Sequence, residues 1–93
     1  MSKRRFDSVW EAIEDTPEEA ENMKLRSVLM TALKQHIARS NMTQAEAARQ
    51  LGVTQPRVSD LMRGKINLFG LDALVNMATA AGLRIEMQVL EAA

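Results

Sequence analysis

The sequence predicts a mainly helical domain of four to five helices with one β-strand at its C-terminal end. Two features favour helices: apolar residues recur at helical spacing through most of the chain, and helix-capping residues precede several of these segments. The composition agrees, because 46% of the 93 residues are hydrophobic but only 3% are aromatic. A core of Leu, Ile, Val, Met and Ala suits packed helices, and this length suits one domain.

Several classes of protein are excluded by residues that the sequence lacks. It contains no Cys and one His, His36, which argues against a disulfide framework and a zinc site. There is no nucleophile–base pair and no phosphate-binding loop, so we expect no enzyme activity, no metal and no cofactor. No apolar run reaches the roughly 20 residues of a membrane span, and Met-Ser-Lys-Arg-Arg lacks the apolar core of a signal peptide. We expect a cytoplasmic, nucleoid-associated protein.

The formal net charge of zero hides two opposed segments. Residues 6–21 carry seven acidic residues and no base, whereas residues 22–65 carry eight bases against Glu46 and Asp60. A basic middle segment suits binding to phosphates through counterion release. The acidic segment suits either a basic protein partner or solubility alone.

The first two predicted helices occupy the N-terminal part of the chain. The helical spacing of four apolar residues predicts a short amphipathic helix at about 7–14: Phe6, Val9, Trp10 and Ile13. Thr16 and Pro17 then indicate a helix start, and Glu19 fits a capping box. We expect that helix to span about 17–39. Its predicted buried stripe is formed by Ala20, Met23, Val28, Leu29, Ala32, Leu33 and Ile37.

Three further helices and a strand are predicted beyond Asn41. The capping-box pattern from Thr43 to Glu46 predicts a helix that ends before Gly52, and Thr54 starts another at 55–63. A loop at 65–70 leads to a helix at 71–81, with Leu71, Leu74, Val75 and Ala78 on one face. Leu83, Ile85, Met87 and Val89 then alternate with polar residues, as in a strand with one buried face.

The middle of the chain matches the requirements of a helix-turn-helix. That motif needs a small residue where its helices cross, a glycine in the turn and branched residues on the buried side of its second helix. Ala48, Gly52, Val58 and Leu61 meet these needs together. The segment from Met42 to Lys65 therefore resembles the XRE (Cro/cI, phage-repressor-like) helix-turn-helix family, and the likeness covers about residues 25–82. We expect an N-terminal extension at 1–22, a DNA-binding domain at 23–82 and a C-terminal strand at 83–93.

The resemblance implies a set of DNA contacts. Gln44, at the start of the first motif helix, is expected to bind a phosphate, in agreement with the anion preference of helix N-termini. Gln55 matches the family's base-reading glutamine, Arg57 could grip guanine or a phosphate, and Ser59 could donate to either. The remaining phosphate contacts are expected from Thr54, Arg63, Lys65 and Asn67.

Two residues on the expected groove face depart from the family pattern. Pro56 replaces a residue that is often polar, and Asp60 places a negative charge where a base is often read. Asp60 could accept from cytosine or bond Arg57 or Arg63. The base sequence of the operator is therefore left open.

The run from Leu51 to Leu61 with Gly64-Lys65 is most similar to small antitoxins of the HigA type. That resemblance implies a basic, mRNA-cleaving toxin of the RelE-like fold as partner, and repression of the antitoxin's own operon. The acidic segment 6–21 would suit such a partner, with four apolar residues as candidate partner-binding anchors: Phe6, Val9, Trp10 and Ile13. It could instead cap its own core with Trp10 buried, in a repressor that has no toxin partner.

The C-terminal strand offers a route to a homodimer. An unpaired strand edge can pair with a second copy, and helix-turn-helix proteins commonly bind two half-sites as dimers. We expect Leu83, Ile85, Met87 and Val89 to join the copies. The alternative is that the strand packs only on its own domain or against residues near the N-terminus.

Overall fold

The computed structural model describes residues 16–92, which form four α-helices and one 3₁₀ turn. The helices are α1 (Pro17–Ser40), α2 (Gln44–Leu51), α3 (Gln55–Met62) and α4 (Leu71–Ala80), and the 3₁₀ turn spans Ile66–Leu68 between α3 and α4. The mainly helical fold is thus confirmed. The helix predicted at 7–14 lies outside the described residues. None of the described helices combines the length and the apolar character that crossing a membrane requires.

The ends of α1 follow from its capping residues. The Thr16 hydroxyl accepts a hydrogen bond from the Glu19 amide at 3.1 Å, and Pro17 occupies the first turn. At the other end Asn41 adopts a left-handed conformation with φ of 58°, and its amide donates to the Ala38 carbonyl at 3.3 Å. The helix accordingly ends within one residue of its predicted limit.

A complete capping box starts α2. The Thr43 hydroxyl accepts from the Glu46 amide at 3.1 Å, while the Glu46 carboxylate accepts from the Thr43 amide at 2.8 Å. Gly52 ends the helix with φ of 72°, a conformation that favours glycine. Thr54 then caps α3 by accepting from the Arg57 amide at 3.3 Å. Local sequence chemistry therefore sets the whole helix–turn–helix path.

The core lies between α1, α4 and the α2–α3 pair. α1 packs against α4, and α2 packs against both α3 and α4. All buried residues of the described chain are apolar: Met30, Leu33, Ile37, Ala47, Ala48, Leu51, Val58, Leu61, Phe69, Leu74, Met77, Ala78 and Ala81.

Three residues of the predicted buried stripes are exposed instead: Ala20, Val28 and Val75. Val28 is 61% exposed and Val75 is 39% exposed. Val28 precedes the buried Met30 by two positions, which places it about 200° around the helix. Val75 lies about 100° from the buried Leu74. In each helix the buried stripe is narrower than the predicted one.

Residues 83–92 have no regular secondary structure, and no strand occurs among the described residues. The predicted C-terminal strand is therefore not confirmed. A strand needs a neighbour to complete its hydrogen-bond ladder, and the described part of a single chain supplies none. Leu83 packs against the core, and its amide donates to the Ala78 carbonyl at 2.9 Å. From Ile85 onward the apolar side chains are exposed.

Candidate nucleic-acid interface

The helix α3 is anchored by two fully buried side chains. Val58 and Leu61 are both 0% exposed, and α3 packs against α2. Ala47 and Ala48 are buried on α2, and side chains this small let the two helices approach closely. Because Val58 and Leu61 fix the inward side, the opposite side of α3 is the one offered to a ligand.

The candidate base-contacting residues differ in their exposure. Gln55 and Pro56 are exposed at the start of α3, while Arg57, Ser59 and Asp60 are half-buried. Gln55 is thus free to reach outward from the first turn. The half-buried residues are partly enclosed by their neighbours, and for two of them the structure identifies the contacts.

Asp60 pairs with Lys65. Its carboxylate lies 3.5 Å from the Lys65 ammonium, and the Lys65 amide donates to the Asp60 carbonyl at 3.1 Å. The chain folds back in this way because Gly64 has a φ of 74°. Of the alternatives left open for Asp60, an ion pair with Arg57 or Arg63 does not occur among the described residues. The ion pair with Lys65 also places a positive charge beside the one carboxylate on α3.

Arg57 is engaged within the protein. Its Nη1 donates to the Leu68 carbonyl at 2.7 Å, and its Cζ lies 4.0 Å from the centroid of the Phe69 ring. The ring is fully buried. Sequence analysis placed Phe69 in a loop and missed this contact. The available signal was that Phe69 is the sole aromatic residue between positions 16 and 92.

The loop after α3 also receives side chains from α1. The Arg26 Nη1 donates to the Ile66 carbonyl at 3.4 Å. The Lys34 ammonium lies 3.7 Å from the position that a Cβ on Gly64 would occupy. Neither base was singled out from the sequence, since their packing against a distant loop depends on the tertiary fold.

The candidate phosphate-contacting residues lie at helix starts and on this loop. Gln44 is exposed at the first position of α2. The first hydrogen bond of this helix runs from the Ala47 amide to the Thr43 carbonyl at 2.9 Å, so the Gln44 amide has no partner within the helix. Thr54 is exposed at the start of α3. The other three, Arg63, Lys65 and Asn67, are exposed at and beyond the end of α3.

Of the expected partner and dimer residues, one group lies outside the described residues, Leu83 packs against the core, and the remaining three are exposed. Phe6, Val9, Trp10 and Ile13 lie outside the described residues. In the tail, Ile85 is 40% exposed, Met87 70% and Val89 86%. These three apolar side chains are therefore largely open to solvent or to a second chain in the described part of the molecule.

Comparison with known proteins matches both the sequence and the fold. The helix-turn-helix domain family matches residues 12–90. A solved structure described as an XRE family transcriptional regulator superposes with a TM-score of 0.73 and 31% sequence identity, covering 80% of this chain and 83% of the other. No curated protein matches the chain.

Proposed function

The chain belongs to the XRE family of helix-turn-helix transcriptional regulators, and we propose that it is a homodimeric repressor that recognises a specific operator sequence. The observation that carries this proposal is the presentation of α3. Because Val58 and Leu61 are buried, the exposed Gln55 and the half-buried Ser59 lie on the side of α3 that is open to DNA.

Base recognition is assigned to the outer side of α3. Gln55 has the donor and acceptor needed to bind adenine bidentately in the major groove, and the Ser59 hydroxyl can donate to a base edge. Pro56 lacks an amide hydrogen and contributes apolar contact, which suits a thymine methyl group. Asp60, paired with Lys65, can still accept from cytosine through its second carboxylate oxygen.

Phosphate contacts flank this surface. The free amide and side chain of Gln44 suit one phosphate at the start of α2. Thr54 uses a hydroxyl lone pair to cap α3 and keeps its hydroxyl hydrogen for a second phosphate. Arg63, Lys65 and Asn67 complete the set beyond the end of α3. These contacts orient the domain, while α3 supplies specificity.

The homodimer is proposed to form through the C-terminal tail. Ile85, Met87 and Val89 alternate with polar residues and are exposed in the single chain, so pairing with the same segment of a second copy would bury them and complete a ladder. Two copies related by a two-fold axis would place their α3 helices on half-sites about one helical turn apart, roughly 34 Å.

An antitoxin role is proposed within this function. The support is the acidic segment 6–21, which runs into the first turns of α1, together with the HigA-type resemblance of residues 51–65. In this role the segment 6–21 binds a basic, mRNA-cleaving toxin, and the dimer represses the operon that encodes both proteins. Co-purification of the full chain with the product of the neighbouring gene tests it. A complex that is lost when residues 1–15 are deleted supports the role, and absence of any complex leaves a stand-alone repressor.

DNA recognition is tested by selecting duplexes from a randomised pool with the full chain. We expect enrichment of an inverted repeat whose half-sites are about one helical turn apart. Recovery of unenriched sequence after repeated rounds would contradict sequence-specific binding.

A further inference from the structure

The loop of residues 63–69 is fixed at two of its carbonyl groups by arginines from other parts of the fold. Arg57 on α3 donates to the Leu68 carbonyl at 2.7 Å, and Arg26 on α1 donates to the Ile66 carbonyl at 3.4 Å. Between these carbonyls lies Asn67, whose side chain is exposed. Hydrogen bonds therefore fix the backbone at the residue before Asn67 and at the residue after it.

The contacts of Arg57 engage one nitrogen and one face of its guanidinium. One nitrogen forms the charge-assisted hydrogen bond to Leu68, and Cζ lies 4.0 Å from the centroid of the Phe69 ring. Its Nη1 can donate to a guanine only if Arg57 gives up the hydrogen bond to the Leu68 carbonyl. Gln55, two residues earlier, is exposed and has no such contact to break.

We propose that Arg57 is a positioning residue that holds Asn67 against the DNA backbone and does not read a base. The inference rests on the proposed DNA contact of α3 and assigns this residue a role that differs from that of Gln55. Arg57 acts through the loop: its guanidinium fixes the Leu68 carbonyl and the buried ring of Phe69, and these fix the 3₁₀ turn that presents Asn67.

This role has a distinct consequence for binding. Phosphate contacts carry no direct sequence information, whereas a base contact discriminates at one base pair. Loss of a positioning residue should thus weaken binding to every sequence by the same factor. Loss of a base-reading residue should flatten the preference at one or two positions.

The first test measures affinities for the duplex selected by the wild-type chain and for its single-base-pair variants. We expect Arg57→Ala to weaken binding to all of them by a similar factor, about tenfold, because the loop must then be ordered on binding. Loss of discrimination at one or two base pairs would overturn the proposal, and so would unchanged affinity. A wild-type chain that selects no duplex overturns the proposed function, and this inference with it.

The second test is a double-mutant cycle between Arg57→Ala and Asn67→Ala. We expect Asn67→Ala to cost severalfold in the wild-type chain but less than about twofold in the Arg57→Ala chain, since the contact is already weakened. A general loss of stability would not create this coupling when affinity is measured well below the unfolding temperature. Losses that multiply, or an Asn67→Ala chain that binds like wild type, would overturn the proposal.

A third variant separates indirect from direct action. Phe69 is fully buried, so an effect of Phe69→Leu on binding reaches the DNA indirectly, through the residues that the ring contacts, of which Arg57 is one. We expect a folded Phe69→Leu chain to show the same uniform loss as Arg57→Ala. A folded variant that binds every duplex like wild type would show that Arg57 acts directly. If Phe69→Leu does not fold, the double-mutant cycle alone decides.

Discussion

The Arg57 guanidinium carbon lies 4.0 Å from the centroid of the buried Phe69 ring, which joins the helix α3 to the segment that leads into α4. The contact helps to fix the loop after α3 relative to this short helix of eight residues. Because Phe69 is also part of the main core, the proposed DNA-binding surface is built directly on the one aromatic side chain of residues 16–92.

Removal of the Phe69 side chain should destabilise the fold strongly. Phe69→Ala deletes a fully buried ring, and such truncations typically cost about 3–5 kcal/mol. Urea denaturation followed by circular dichroism measures this loss. The neighbouring Leu68→Ala is the matched control, since Leu68 is 50% exposed and should lose less than about 1 kcal/mol. Equal losses for the two variants would place Phe69 outside the core.

The capping box of α2 should contribute measurably to stability. Thr43→Ala removes the hydroxyl that accepts from the Glu46 amide, and loss of such a cap costs about 1 kcal/mol. Thermal unfolding should therefore show a lower midpoint. Thr79→Ala on the exposed side of α4 removes no cap and provides the comparison. A Thr43→Ala midpoint equal to that of Thr79→Ala would show that the box does not stabilise α2.

Local chemistry explains which parts of the fold the sequence could predict. Threonine caps and the glycine at position 52 act within one turn of the chain, so the ends of α1, α2 and α3 were predicted to within a residue. The pairing of Asp60 with Lys65 and the stacking of Arg57 on Phe69 depend on the path of a loop that no periodic pattern encodes. The C-terminal strand was not confirmed, since a strand is defined by a neighbour as well as by its own alternation.

The acidic start of α1 should weaken DNA binding. Glu18 and Glu19 line the same surface hollow as Asn67, so their charges lie near the phosphate that Asn67 is proposed to contact. Neutralisation by the double substitution Glu18→Gln and Glu19→Gln should raise affinity about two- to threefold at low salt, with less effect at high salt. Titration of a fluorescent duplex at two salt concentrations checks this.

The control for that titration is Glu91→Gln, an exposed acid in the tail that does not line the hollow. It should leave affinity unchanged. If the Glu18 and Glu19 substitutions also leave affinity unchanged at low salt, the acidic turn does not face the DNA. Neutralisation of the same two charges by a bound basic partner would act in the same direction as the substitutions.

The tail should determine the oligomeric state. Val89→Asp places a charge among the exposed apolar side chains of the segment 85–90. A charge buried there without a partner should convert the dimer to a monomer, which analytical ultracentrifugation measures. Val28→Asp serves as a matched control, because Val28 is an exposed valine on α1, outside the tail. A dimer that survives both Val89→Asp and truncation after Gly82 would refute the role of the tail.

The central claim, that the outer side of α3 reads bases, is tested most directly by the discrimination of a Gln55→Ala chain. Its affinity is measured for the duplex that the wild-type chain selects and for duplexes changed at single base pairs. The control is Gln35→Ala, because Gln35 is an exposed glutamine on α1. We predict that Gln55→Ala loses about 1–3 kcal/mol of preference at one base-pair position in each half-site, while Gln35→Ala keeps the wild-type preference. An unchanged preference profile for Gln55→Ala would contradict the assignment of α3 as the recognition helix.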